Sequence, residues 1–289
     1  MTPLRRFAAD FAQSRAAVAG LALFALLFLA ALLAPWISPQ NPYDLARLDL
    51  LDARLAPGAP SSAGGTYWLG TDGQGRDMLS AILYGLRTSV TVGFASTVMG
   101  LAIGVSAGLA AAWYGGWLDG LLMRLADLQL AFPSILIALV LLAVMGQGLD
   151  KIVVALVAVQ WAYYARTARG AALVERRKDY IEAAVALALP GARIMFRHLL
   201  PNCLPPLLVL ATVQGAAAIT LEATLSFLGL GLPITEPSLG LLISNGFAYL
   251  LSGHYWISLF PGLALLAAVV SINLVADRLH DVLDPRRDR

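Results

Sequence analysis

Long apolar runs without charge alternate with short polar segments along most of this chain. A helix needs roughly 20 mainly apolar residues to cross about 30 Å of hydrocarbon. By this criterion the pattern predicts six membrane-spanning helices and an all-α polytopic membrane protein. The predicted spans lie within residues 20–37, 88–118, 128–149, 152–166, 204–230 and 256–276.

The first apolar run follows Arg5, Arg6 and Arg15, which is also the arrangement of a cleaved signal peptide. Its 18 uncharged residues exceed the usual hydrophobic segment of such a peptide. No small-x-small cleavage site is followed by a soluble mature protein. We therefore interpret residues 18–37 as the first transmembrane helix.

The third and fourth spans contain a proline or charged residues, and each of these residues is compatible with a membrane span at its position. Pro133 lies in the first turns of the third span, where a missing N–H costs least. The fourth span has only 14 uncharged residues before Arg166. It becomes long enough when Lys151 snorkels outward and Tyr163 and Tyr164 lie at the inner interface.

The distribution of basic residues predicts the orientation, because cytoplasmic segments accumulate Arg and Lys. With the N-terminus inside, 15 of the 20 basic residues fall on the inner side. We therefore expect both termini to be cytoplasmic. The predicted layout is an N-terminal segment 1–17, an outer loop 38–84, a five-helix core 85–277 with an inner loop at 173–203, and a tail 278–289.

Composition agrees with this class, since 59% of residues are hydrophobic, only 13% are charged and the mean hydropathy is +0.74. The net charge of +2 is small and the arginines are scattered, which excludes a basic face for nucleic acid. Cys203 is the only cysteine, so an intramolecular disulfide is excluded. We interpret Cys203 as a small apolar residue near a helix start.

The outer segment contains the glycine-rich stretch YWLGTDGQGRD at 67–77. A dinucleotide-binding G-x-G-x-x-G pattern fails at Met78, and a calcium loop from Asp72 fails because its twelfth position is Leu83. We predict a structural glycine turn whose charges are exposed. The whole segment is too poor in apolar periodicity to build a second core.

No catalytic array is present in the sequence. A P-loop needs Gly-Lys followed by Ser or Thr, whereas Lys151 follows Asp and Lys178 follows Arg. The three histidines, His198, His254 and His280, are far apart and form no metal-binding motif. We expect no catalytic residue, no metal site and no cofactor in this chain.

The polar inner stretch DYIEAAVALALPGARIMFRHLLPN, residues 179–202, interrupts the apolar chain. We predict a helix with Asp179 as N-cap and Glu182 at its third position, running to about Leu189 and turning at Pro190-Gly191. A second helix over 192–200 is expected before Pro201.

Ile181, Ala184, Val185 and Ala188 share one face of the first predicted helix. Their small side chains allow close approach of another surface. Periodicity leaves two interpretations, a docking element for a partner or an amphipathic loop on the lipid surface.

This stretch resembles the EAA loop of ABC-importer permeases. Glu182-Ala183-Ala184 and Leu200-Pro201 match, whereas Ala188 stands where the family has Gly. Other motifs are similar to the peptide and nickel subgroup: LGTDGQGRD at 69–77, Phe132-Pro133, His198 in RHLLPN, SFLGLG at 226–231 and NLVADRLHDVLDP at 273–285.

The resemblance implies a type I ABC-importer permease fold and the second, C-type, permease subunit of an oligopeptide, dipeptide or nickel importer. Implied partners are a homologous permease in a heterodimer, two ABC ATPases that bind ATP and Mg, an extracytoplasmic binding protein and membrane lipid. The location is the bacterial or archaeal cell membrane, the inner one in Gram-negative cells.

The resemblance also assigns the loop to ATPase coupling. Glu182 is the expected polar contact and Ile181, Ala184 and Ala188 the apolar ones. The coupling residues implied are Ile181, Glu182, Ala183, Ala184, Ala188, Pro190, Gly191 and Pro201.

Glu222 is the one acidic residue deep in a predicted span, where a carboxylate costs on the order of 3 kcal/mol. With Thr220, Thr224 and Ser226 it can line a substrate pathway. The alternative is a hydrogen-bonding role inside the subunit interface. Sequence alone leaves both open.

The substrate follows only by elimination. No span has a His, Cys or Met constellation suited to a transition metal, which favours peptide over nickel or another small solute. An ion-coupled secondary carrier is the remote alternative, but it usually has an inverted repeat and several ionisable groups at the midplane. A membrane-embedded enzyme lacks its catalytic residues here.

Overall fold

The computed structural model describes residues 3–44, 48–62 and 64–283. Residues 1–2, Arg47 and the end of the predicted tail, 284–289, lie outside the described residues. The helices are α1 (Pro3–Ala12), α2 (Arg15–Ile37), α3 (Met78–Tyr114), α4 (Gly116–Leu130), α5 (Ser134–Met145), α6 (Leu149–Glu175), α7 (Asp179–Ala186), α8 (Gly191–Ile194), α9 (Leu200–Phe227), α10 (Leu239–Phe247) and α11 (Trp256–Leu283).

Four helical segments are long and apolar enough to cross a membrane: α2, α3, the continuous run Gly191–Phe227 and α11. The bent pair of α4 and α5 adds a fifth when it is counted as one span. The remaining predicted span corresponds to α6, which contains Asp150, Lys151, Arg166 and Arg169. The total of six spans therefore stays a prediction.

The third span, expected to occupy most of residues 128–149, is broken near its start. Helix α4 ends at Leu130, α5 begins at Ser134, and the two are bent by 93°. Pro133 explains the break, because it lacks an N–H and disfavours helical geometry at the preceding residue. Pro133 thus immediately precedes the first turn of α5.

Helices α3 and α6 form the most extensive helix–helix contact among the described residues. A Cβ atom at Gly104 would clash with the carbonyl oxygen of Trp161, and one at Gly108 with that of Ala165. On α6 the facing residues Ala165 and Ala168 are fully buried. Small residues at four-residue spacing let two helix backbones approach in a membrane, where packing drives association.

The outer segment folds against the start of α3, and the charged residues of its glycine turn are buried. The expectation of exposed charges is therefore wrong for Asp72, Arg76 and Asp77, which are all 2–3% exposed. Asp77 caps α3 by accepting from the Ser80 N–H at 2.8 Å, and Arg76 donates to the Ile234 carbonyl at 3.0 Å. Asp72 accepts from the backbone N–H of Gln74 and Arg76, which closes the glycine turn.

Asp52 organises the rest of the outer segment, residues 38–77, which we call the outer cap. It includes a hairpin of β1 (Ala59–Pro60) and β2 (Thr66–Tyr67). The Tyr67 hydroxyl donates to its carboxylate at 2.8 Å and the Ser62 hydroxyl at 2.9 Å. Burial raises the pKa of Asp52, but the hydrogen bonds from Tyr67, Ser62 and Ser61 outweigh it and lower the pKa below its usual range.

The α3–α6 contact generates a test by substitution. We expect Gly104→Ala to destabilise the purified protein by about 1–3 kcal/mol, because the added methyl group forces the two backbones apart. Gly170→Ala on the facing helix α6 is the control, since a Cβ there meets nothing within 4 Å. Thermal unfolding in detergent measures both, and equal melting temperatures for the two variants would contradict the assigned contact.

Candidate functional site

The inner loop after α6 contains the short helix α7, whose first residue is Asp179. The N-cap is Lys178, not Asp179 as predicted, and its side chain makes no capping hydrogen bond. Asp179 and Glu182 both lie in the first turn, where carboxylates are favoured by the helix dipole. The acidic start of α7 is therefore stabilised by charge rather than by a side-chain cap.

Helix α7 ends at Ala186, so the prediction that it continues to about Leu189 is wrong. Ala188 has a φ of 51°, in the left-handed region. Its N–H donates to Val185 at 2.9 Å, and the Leu189 N–H donates to Ala184 at 3.2 Å. These two bonds form a Schellman motif, in which the left-handed position is normally Gly. Ala188 thus occupies the glycine site of the turn itself.

The second predicted helix, 192–200, is not separate. Gly191 begins α8, which passes through a π-helical turn, Met195–Leu199, into α9. Pro201 is the second residue of α9, directly after the π-helical turn. Gly191 packs against the indole of Trp113, at the end of α3.

Ile181 and Ala184 face the interior of this chain, with exposures of 1% and 5%. They pack in one cluster with Ala168, Ala172 and Cys203. Most of the surface of Ile181 and Ala184 is thus covered within this chain, where they anchor α7, and Ile181 also contributes to the lining of the groove beside α7. Their role as partner contacts stays a prediction.

The outer side of the loop presents different residues. Val185 and Leu187 are 54% and 74% exposed, and Glu182, Ala183 and Ala188 are exposed as well. Leu187 was not among the predicted residues. Its position just before the left-handed turn is what turns its side chain outward, and the sequence gives no local signal for this.

A groove of about 450 Å³ lies beside α7. Its lining includes Trp113, Arg176, Glu182 and Val185. The Arg176 guanidinium lies 5.4 Å from the Trp113 ring and donates to the Ala112 carbonyl at 2.7 Å. The groove therefore combines an apolar floor with one fixed cation and one carboxylate.

Tyr180 ties the start of α7 to the end of α6. Its hydroxyl donates to Glu175 at 2.7 Å, and Lys178 pairs with the same carboxylate at 2.6 Å. Burial, together with the hydrogen bond to Glu175, raises the pKa of Tyr180 to about 12. Tyr180 therefore remains a hydrogen-bond donor at physiological pH.

The predicted pathway residues separate into two sets. Glu222 and Ser226 are 0% exposed. Glu222 accepts hydrogen bonds from Ser89 on α3 at 2.8 Å, from Ser226 at 2.8 Å and from Ser238, the N-cap of α10, at 2.9 Å. The pathway interpretation is corrected for Glu222 and Ser226, which join α3, α9 and α10 inside the chain.

Thr220 and Thr224 lie on a different face of α9 and line an open cavity of about 410 Å³. Uncharged polar side chains from α6, α9 and α11 share this lining: Gln160, Tyr163, Gln214 and Asn273. None of these four was predicted as a site residue, although isolated amide side chains inside apolar runs are a readable signal. Asn273 is exposed although it lies within a predicted span.

Among the residues the structure describes, no group of three or more His, Cys, Asp or Glu side chains could hold a metal ion. Cys203 is buried and apolar in its surroundings, in the cluster behind α7. The site has no nucleophile paired with a base in the geometry above.

Comparisons with known proteins agree on one family. Residues 100–289 match the family described as "Binding-protein-dependent transport system inner membrane component", and residues 2–57 match "N-terminal TM domain of oligopeptide transport permease C". The dipeptide transport system permease protein DppC of Escherichia coli is 40% identical over 99% of this chain and 94% of its own. A putative peptide transport system permease protein of Brucella suis is 42% identical over 92% and 86%.

The DppC protein of Haemophilus influenzae is 38% identical over 99% of this chain and 95% of its own. Among solved structures, an inward-facing form of the MetNI methionine ABC transporter aligns with a TM-score of 0.57 at 21% identity. It covers 71% of this chain and 97% of that chain. At this identity the similarity supports the fold alone.

The left-handed backbone conformation of Ala188 generates one prediction. We expect Ala188→Gly to stabilise the loop by about 1 kcal/mol, because glycine adopts positive φ without the Cβ penalty. Gly229→Ala, at a φ of 77° with nothing within 4 Å of the added Cβ, is the reciprocal control and should be destabilising. Hydrogen exchange of α7 measures the first effect, and unchanged or faster exchange in Ala188→Gly would contradict it.

The buried carboxylate of Glu222 generates a second prediction. Glu222→Ala should destabilise the protein by about 3 kcal/mol, because it leaves buried serine hydroxyls without their acceptor. Glu222→Gln keeps an acceptor and should be milder, and Thr220→Ala on the open face is the control. Folded yield and melting temperature report the effect. Normal folding of Glu222→Ala with loss of transport would restore the pathway role.

Proposed function

Since the chain belongs to the family of binding-protein-dependent transport system inner membrane components, we propose that it forms half of the translocation pathway of an ATP-driven peptide importer. The family expected from the EAA loop and the associated motifs is confirmed. The chain is accordingly a permease subunit of an ABC importer, with the fold of such a permease. Peptide as the substrate class is supported by the names of the relatives at about 40% identity.

Coupling to an ATPase is assigned to the outer side of α7. The observation that carries this proposal is a short helix anchored by buried Ile181 and Ala184, which leaves Glu182, Val185 and Leu187 at the surface. Exposed apolar side chains beside a groove are typical of a protein interface. Because α7 is bonded to α6 through Tyr180 and Glu175, a partner that moves α7 moves α6.

The pathway is assigned to the cavity lined by Gln160, Gln214, Thr220, Thr224 and Asn273. Neutral amides and hydroxyls can hydrogen-bond to peptide groups without selecting a charge. The cavity opens on one side of this chain, which fits a pathway completed by a homologous permease in a heterodimer.

The complete importer then needs two ABC ATPases, which bind ATP and Mg, and an extracytoplasmic binding protein that delivers substrate. This chain itself hydrolyses no ATP and holds no cofactor. We assign it to the bacterial or archaeal cell membrane with both termini cytoplasmic, as the excess of basic residues on the inner side supports. Substrate uptake follows when ATP and the loaded receptor favour different arrangements of the same helices.

The coupling assignment is tested by Leu187→Ser in the assembled complex. We expect peptide-stimulated ATP hydrolysis to fall about tenfold, because an apolar anchor worth roughly 1.4 kcal/mol is removed. Leu251→Ser is the matched control, since Leu251 is also exposed and apolar but lies in the turn between α10 and α11, on the opposite side of the predicted topology.

Uptake of a labelled dipeptide into vesicles, with ATP supplied to the ATPases, tests the function itself. Equal loss of activity in both leucine variants, or uptake by this chain alone without ATP, would contradict the proposal.

A further inference from the structure

The groove beside α7 is formed where three helices meet on the inner side of the predicted topology. Trp113 comes from the end of α3, and Arg176 directly follows α6. The rest of the lining belongs to α7: Ile181, Glu182, Val185 and Ala186. A side chain of another protein that enters this space of about 450 Å³ would therefore contact all three helices at once.

The guanidinium of Arg176 is held in a fixed position at the wall of the groove. It lies 5.4 Å from the centre of the Trp113 ring, and its Nη1 donates to the Ala112 carbonyl at 2.7 Å. A guanidinium has five N–H donors in a planar fork. Among the described residues, no ion pair includes Arg176. Most of its donors are therefore available to an acceptor that enters the groove.

The charges around the groove favour a carboxylate on the α6 side. Arg176 and Arg177 are adjacent, and neither takes part in an ion pair within the described part of the chain. Lys178 is already paired with Glu175 at 2.6 Å. On the α7 side of the groove, Glu182 also has no ion pair within residues 3–44, 48–62 and 64–283. A carboxylate near α6 would thus meet two cations that no acidic residue neutralises.

We propose, on the basis of the ATPase coupling assigned above, that this groove receives an apolar side chain of the partner ATPase and that Arg176 binds a carboxylate beside that side chain. Ile181, Val185 and the Trp113 indole supply the apolar surface. The guanidinium fork matches the two oxygens of a carboxylate, which makes a bidentate pair strong and geometrically specific. The coupling interface then includes the ends of α3 and α6 as well as α7.

The position of Arg176 favours a protein over a lipid headgroup as the partner. Arg166 marks the predicted inner interface of the membrane, and Arg176 follows it by about three helical turns, or roughly 15 Å. The groove is also continuous with exposed apolar surface on α7, because Val185 lines it and is 54% exposed. A lipid headgroup needs exposed cations close to the bilayer, not an apolar groove at this distance from it.

A conservative substitution tests the bidentate contact in the assembled complex in nanodiscs. We expect Arg176→Lys to speed the release of a fluorescently labelled ATPase about tenfold, because lysine keeps the charge but cannot bind both carboxylate oxygens. Arg177→Lys is the matched control, since Arg177 is exposed next to Arg176 but does not line the groove. The control should leave the release rate nearly unchanged.

A double-mutant cycle distinguishes a partner contact from a role of Arg176 within this chain. Each exposed Asp and Glu of the ATPase is replaced by its amide. One of these changes should speed release by a similar factor and have no further effect together with Arg176→Lys. Additive effects for all of them, or equal behaviour of Arg176→Lys and Arg177→Lys, would overturn the proposal. A release rate that follows the anionic lipid content of the nanodisc instead would overturn it in favour of a lipid contact.

Leu187→Ser separates this contact from the coupling assignment on which it rests. Leu187 is exposed on α7 but does not line the groove. Faster ATPase release with Leu187→Ser but not with Arg176→Lys would overturn the groove contact alone. Unchanged release in both variants would overturn the coupling assignment together with it.

Discussion

The close approach of α3 and α6 at Gly104 and Gly108 is the contact on which both functional ends of the molecule depend. Lipid tails are as apolar as the helix surfaces, so burial of apolar area does not hold two spans together and shape must do so. The outer cap starts from α3 through Asp77, and the coupling loop follows the end of α6. Because the two backbones touch, the ends cannot slide independently.

Two buried charged side chains, Glu222 and Arg76, make their hydrogen bonds to hydroxyls and to a backbone carbonyl. Glu222 accepts from three serines on three elements, and buried Arg76 donates to the Ile234 carbonyl. A buried ion pair fixes two groups, whereas a carboxylate with several hydroxyl donors fixes several helices at once. Glu222 is therefore better explained as a junction of α3, α9 and α10 than as a substrate contact.

Sequence could predict the class and the inner loop because both depend on local properties. Charge-free windows identify apolar helices, and the EAA match indicates which segment is expected to couple to an ATPase. Pro133 indicated a helix start near this point, but its presence alone does not predict the 93° angle between α4 and α5. The four-residue spacing of Gly100, Gly104 and Gly108 was readable as a helix-contact motif and was missed.

Helix α7 shows a limit of periodicity, because the expected contact residues divide between a buried side, Ile181 and Ala184, and an exposed side that includes Glu182 and Ala188. Periodicity groups Ile181 with Ala184, but it does not say whether that face meets this chain or a partner. Pro190-Gly191 looked like the turn because its composition is typical of turns. The helix ends earlier since Leu189 is drawn into the apolar cluster behind α7, and this forces Ala188 into the left-handed region.

The π-helical turn at Met195–Leu199 has a geometric consequence for how the loop and α9 are related. One extra residue per turn offsets the angular phase of everything that follows by about 100°. The side of α8 that packs near Trp113 is thus out of register with the cavity-lining side of α9. Residues spaced at α-helical intervals from the loop therefore do not continue onto one face of α9, so contacts made by α8 and by α9 point in different directions around the same helix.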